Sequence, residues 1–183
     1  MWSVIMSEND VIIWSKNSFL TWSDFKAESN PAVFEDSHSV MKYQYTWTVN
    51  SEKMGKDILF LIENIQLSTE FQSLLSWVRP SETSDKLLKH EQGHFDLAEL
   101  IKHENISDLQ NKFYGRNFPT KGQNEDQIKQ FAKEDSGKMI AMEVQRLEEI
   151  LSKKRQEYNE QTNFGQNSEE QSKYDLVFDR LRL

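Results

Sequence analysis

Two histidines four residues apart, with a carboxylate beside the first, are the part of this chain best equipped for chemistry: His90-Glu91-Gln92-Gly93-His94. On a helix, residues four apart stand one turn apart on the same face, so both imidazoles can be aimed at one point, as a tetrahedral zinc ion requires. Glu91 leans toward the same point and can take the proton from a metal-bound water. The pattern is that of an H-E-x-x-H zinc site, with His90 and His94 as metal ligands and Glu91 as general base. Its surroundings support an inward orientation. Leu87, His94, Ala98 and Ile101 make one stripe and Phe95 extends it beside Glu91. Polar groups on an apolar face need partners, because burying them unpaired is costly.

A hydrolytic zinc centre needs a third protein ligand and leaves the fourth position for water. Asp96, Glu99 and His103 follow His94 by two, five and nine residues. At about 100° per residue all three point well away. Two acids on the next long helical stretch remain as candidates: Glu143, on the stripe of Ile140, Leu147 and Ile150, and Asp135, among Ile128, Ala132, Met139 and Met142. An acid at the edge of a solvated face explains each equally well.

The elements that must position these residues follow from patterning. Residues 11–14 are a short apolar run, and Leu20-Thr21-Trp22-Ser23-Asp24-Phe25 reads as a strand end or turn with its aromatics inward. Residues 26–37, with Pro31, read as a loop. Tyr43, Tyr45, Trp47 and Val49 alternate with Lys42, Gln44, Thr46 and Thr48, a half-buried strand over 40–49. Residues 58–62 are continuously apolar and predict a central strand paired with it. Residues 68–79 fit either a short helix or a loop leading to a strand. Hydroxyls and acids at 80–85 suit a helix start, predicting a helix from about Ser84 to Ile106. Gly115, Pro119 and Gly122 mark 107–123 as a loop, and a long helix should follow from about Asn124 to Tyr158. After a polar break at 161–168, a short amphipathic helix carries Val177, Phe178 and Leu181. Strands first and helices later predict an α+β fold, with a small, mainly antiparallel N-terminal sheet followed by two long helices.

Composition bounds the rest. The 183 residues suit one domain, 1–183, and 37% hydrophobic residues with 11 Phe, 5 Trp and 5 Tyr provide for a core. The net charge is -8 and the basic residues are scattered; Lys153-Lys154-Arg155 is followed by Glu157 and Glu160. Nucleic-acid binding, which draws on clustered cations, is not expected. There are no cysteines, hence no disulfides, thiolate zinc sites or cysteine nucleophiles. No apolar run is long enough to span a bilayer. Residues 1–8 lack a leader pattern, so the chain reads as cytoplasmic if complete, or exported if a targeting segment has been removed.

The stretch Leu87-Leu88-Lys89-His90-Glu91-Gln92-Gly93-His94-Phe95-Asp96-Leu97-Ala98-Glu99-Leu100 resembles the bacterial domain of unknown function 922 family, described as zinc-dependent proteases, whose hallmark is H-E-Q-x-H-F-D-[IL]. Ser76-Trp77-Val78 and the Leu20–Phe25 segment fit its flanking motifs. The resemblance implies a zincin-like domain, a zinc cofactor and a peptide or protein substrate. It also implies a second signature, approximately Y-D-x-E-T-x-H-G followed by a Gln and a Trp. Here the frame is kept as Tyr158-Asn159-Glu160-Gln161-Thr162-Asn163-Phe164-Gly165, then Gln171 and Tyr174. Its Asp has become Asn159, its Glu Gln161, and the His that would serve as third ligand Phe164. Phe164 is therefore expected beside His90 and His94, and a Phe164→His change to raise zinc affinity. Two functions compete: a zinc metallopeptidase, favoured by the intact first motif, and an inactive binding or scaffold module on a peptidase fold, favoured by the eroded second one.

Overall fold

The structure, a computed structural model, describes residues 10–183. The residues before them, on which the absence of a leader pattern was read, lie outside the described residues. The fold is α+β, an antiparallel sheet followed by helices. In chain order the elements are β1 (Val11–Ile13), β2 (Ser37–His38), β3 (Met41–Met54), β4 (Asp57–Gln72), β5 (Trp77–Val78), α1 (Asp85–Asn111), β6 (Phe118–Pro119), α2 (Glu125–Thr162) and α3 (Ser168–Leu181). Among the described residues, no helix is long and apolar enough to cross a membrane.

The expected pair of strands is present and both are longer than their apolar cores. β4 lies at the centre, pairing with β3 along one edge and with β1 and β6 along the other, all antiparallel. Residues 68–72, ambiguous in sequence, continue β4; a 3-10 turn at Ser73–Leu75 and the β5 strand follow, so the short-helix option is corrected. β5 pairs with β2, which lies at the end of the stretch read as loop. The β3–β4 ladder contains a bulge: Thr46 pairs with Gln66 and Thr48 with Glu63, so β4 carries one extra residue there. Asn64 takes φ +51°. Ile65 turns its backbone to the end of α1, where its N–H donates to the Tyr114 hydroxyl at 2.9 Å and its carbonyl accepts from Gln110 at 3.0 Å. The inward positions are Phe60 and Ile62 before the bulge, Ile65, Thr69 and Phe71 after it.

The sheet's inner face packs on α1 and α2. The Tyr43 hydroxyl donates to the Ala98 carbonyl at 2.7 Å, Trp47 Nε1 to Ser136 Oγ at 2.8 Å, and Phe71 meets Phe95 with ring centres 5.9 Å apart. α1 starts where the hydroxyls indicated, with Ser84 accepting from the Leu87 N–H, and Asn124 caps α2 in the same way. α2 runs on beyond Tyr158 to Thr162, and this extra turn carries Asn159 into the site. Its end is tightly bent: Asn163, Phe164 and Gly165 all have positive φ. A side chain on Gly165 would put its Cβ 2.8 Å from Cβ of His90, so only glycine lets the turn close on the motif helix.

Candidate metal centre

His90, Glu91 and His94 lie on α1, all buried, with their potential ligand atoms within 4.8 Å of one another. The helix places them as the spacing requires: Phe95, Ala98 and Ile101, on the same side, are buried in the core. α2 runs antiparallel to α1, since Lys112 meets Glu143 at one end while His90 meets Asn159 at the other. Tyr158 of α2 stacks on the His90 ring, centroids 4.6 Å apart and 9° between planes, and stands edge-on to His94 at 4.9 Å. Its hydroxyl donates to the His90 carbonyl at 3.1 Å. Burial raises the Tyr158 pKa, so this phenol stays neutral. Gly93 explains why the motif has no side chain at its fourth position. A Cβ there would fall 2.0 Å from the Tyr158 hydroxyl oxygen.

Both imidazoles converge on one atom, the Asn159 side-chain oxygen, 3.0 Å from Nε2 of His90 and 2.8 Å from Nε2 of His94. Behind His94, Arg155 donates from Nε to Nδ1 at 3.2 Å while its Nη2 donates to the Ser39 carbonyl at 2.6 Å. Arg155 and Asn159 are one turn apart on α2, so a single helix face supplies both. Burial, then the Arg155 charge, then His90 hold the His94 pKa well below its usual value. Burial likewise lowers that of Arg155, partly opposed by the charges of Glu91 and Glu35. Behind His90, Nδ1 faces the Gln171 side-chain oxygen of α3 at 3.1 Å. Glu91 accepts from the Ser37 hydroxyl at 2.6 Å through Oε1, while its Oε2 is buried with no hydrogen-bond partner among the described residues.

Three features test whether these residues fit the zinc ion that the motif implies. A zinc ligated through Nε2 of His94 needs the ring proton on Nδ1, yet Nδ1 is the acceptor for Arg155. The atom in the third position is a neutral amide oxygen, where hydrolytic zinc sites use His, Asp, Glu or Cys. A buried guanidinium in contact with a ligand ring also repels a dication. His90 alone has the expected outer partner, Gln171. The set does not fit a catalytic zinc as it stands.

The other expectations divide. Phe164 does line the same cavity as His90, Glu91 and His94, but it stands half out of the wall, 45% exposed, and the group reaching both imidazoles is Asn159. Glu143 is no ligand. It pairs with Lys112 and Arg146. Asp135 precedes Asn159 by 24 residues, about 36 Å along the α2 axis, and is also excluded. Asp96 is buried at the other side of α1, where it accepts from Trp14 Nε1 at 2.8 Å and pairs with Arg182, while Glu99 accepts from Thr69 at 2.7 Å. Sequence reasoning missed Ser37, Arg155 and the contact role of Asn159. Only Asn159 carried a signal, as part of the second signature, whose kept members Tyr158, Thr162, Gly165 and Gln171 all touch His90. Neither a protein-family profile, a curated protein nor a solved structure matches the chain, so the resemblance rests on the motif residues alone.

Proposed function

We propose that this chain is a peptidase-like binding module: its H-E-x-x-H helix frames a cavity that receives part of a peptide or protein partner, without zinc-dependent turnover. The carrying observation is the Asn159 amide oxygen held between the two Nε2 atoms, at the point where a metal ion would have to lie. Metal analysis of protein purified without chelator or added metal tests it, together with a peptidase assay on unfolded protein substrate. Well under one equivalent of zinc and no cleavage beyond that of a Glu91→Gln variant are expected. One tightly held zinc per chain would sink the reading.

The second reading is a zinc-dependent metallopeptidase. It is favoured by two observations: His90 Nδ1 faces the Gln171 oxygen, as in ligating histidines, and Glu91 Oε2 is left open to act as a base. In that reading zinc would sit on His90 and His94 after Arg155 and Asn159 had moved, and Glu91 would accept the proton from water. The same metal analysis separates the two.

A further inference from the structure

The donors around Glu91 are committed in a way that leaves one buried oxygen waiting. Ser37 satisfies Oε1. Arg155, whose charge interacts with that of Glu91, directs Nε at His94 and Nη2 at Ser39, and His94 Nε2 faces Asn159. Oε2 has no partner among the described residues, although the glutamate is only 3% exposed. An unmet buried acceptor is costly, more so when it is charged, so such groups mark places where something else binds.

Glu91 lines a cavity of about 240 Å³, far above the roughly 15 Å³ that lodges one water. The cavity's charge states which donor it takes. Glu35, Asp36 and Glu82 line it together with Glu91; against these four carboxylates the fixed cation in the wall is Arg155. Asp36 is partly neutralised by Arg79 at 3.3 Å, yet the balance stays negative. Phe34, 97% exposed, and Phe164 bring two aromatic rings to the same wall. Aromatic faces next to acids suit a cation carried on a methylene stem, whose CH₂ groups pack on the rings while its head reaches the carboxylate.

We propose that the cavity binds a primary alkyl-ammonium group, with Glu91 Oε2 as its anchor and Phe34 and Phe164 flanking its stem. This rests on the binding-module reading and adds its ligand class. The group could arrive as a lysine side chain of a partner or as a free alkyl diamine.

The test uses the full chain, treated with chelator, and follows backbone amide chemical shifts. N-acetyl-lysine amide should bind saturably and perturb the cavity residues; the uncharged isostere N-acetyl-norleucine amide at equal concentration should not. Glu91→Gln should weaken lysine binding about tenfold or more. Cadaverine binding more tightly than the lysine amide assigns the site to free amines, and the reverse order assigns it to a protein partner. Equal binding of lysine and norleucine, wild-type affinity in Glu91→Gln, or no binding at all overturns the proposal. Should Glu91→Gln fail to fold, Phe164→Ala decides: about threefold or greater weakening supports it and unchanged affinity overturns it. A parallel zinc titration keeps the two readings apart. Tight zinc binding overturns the module reading alone, and absent amine binding overturns the cationic ligand alone.

Discussion

Arg155 Nε lies 3.2 Å from Nδ1 of His94 and donates to it, so the proton of this neutral ring sits on Nε2 and points at Asn159. A side chain on the neighbouring helix thereby sets the tautomer of a motif histidine to the form that cannot ligate through Nε2.

Removing that constraint should create metal affinity. Arg155→Met frees Nδ1 of His94, and Asn159→Asp puts an anion where both rings already converge. The double variant is expected to bind zinc about 10- to 100-fold more tightly than the wild type, measured by competition with a chromogenic chelator. Phe164→His, expected from the second signature to restore a ligand, should gain less, because position 164 is a half-exposed part of the wall. A larger gain from Phe164→His than from the double variant would contradict this assignment.

His94 also gives the fold a pH dependence. Burial first, then Arg155 and His90, depress its pKa below 6.5, so it stays neutral in the fold while the unfolded chain takes up a proton. Its contribution is fully present above pH 6.5 and is lost as pH falls below that value toward the depressed folded pKa. The slope from this group reaches about 1.4 kcal/mol per pH unit. Urea titrations between pH 7 and 5 should show the decline, and Arg155→Met should make it shallower. A wild type equally stable at both pH values would refute the claim.

Gly93→Ala should destabilise the protein by about 1–3 kcal/mol, since its methyl would land 2.0 Å from the Tyr158 hydroxyl oxygen. Adding Tyr158→Phe should recover only part of this, because the ring carbon bearing the hydroxyl would still be 2.8 Å away. Denaturant midpoints of the three proteins check it. Full recovery in the double variant would mean that the ring itself has room.

The motif helix was legible because its signals agree: spacing four, an apolar stripe and a hydroxyl cap all describe one helix. The α+β order was legible for the same reason, through the alternation of Tyr43 to Val49. The second half of β4 was harder, since the extra residue near Asn64 interrupts the alternation that links it to the apolar run before. The third group at the imidazoles was legible only as a member of the second signature, not as the atom that meets both rings. Stopping α2 at Tyr158 put Asn159 outside the helix, whereas the structure carries the helix four residues further on polar side chains that face solvent on one side and His90 on the other. Arg155, inside a run of basic residues soon followed by acids, carried no sign of turning toward the site. Which member of such a run turns inward is decided by the neighbouring helix, and that information is not local.

The bulge in β4 has a meaning for how this strand could change length. Strand pairing reverses faces with every single-residue slip, so an indel within a paired strand ordinarily turns the following side chains inside out. Here one extra residue is already in place. Losing Asn64 would join the two halves of the β3–β4 pairing, Met41↔Phe71 to Thr46↔Gln66 and Thr48↔Glu63 to Met54↔Asp57, into one uninterrupted ladder, with Ile65, Thr69 and Phe71 still on the face of Phe60 and Ile62. The hydrogen bonds given up would be those of Ile65 to Tyr114 and Gln110 and that of Asn64 to the Thr48 hydroxyl. Asn64 is thus a position where the gene could shed a codon and keep the sheet's inside and outside as they are.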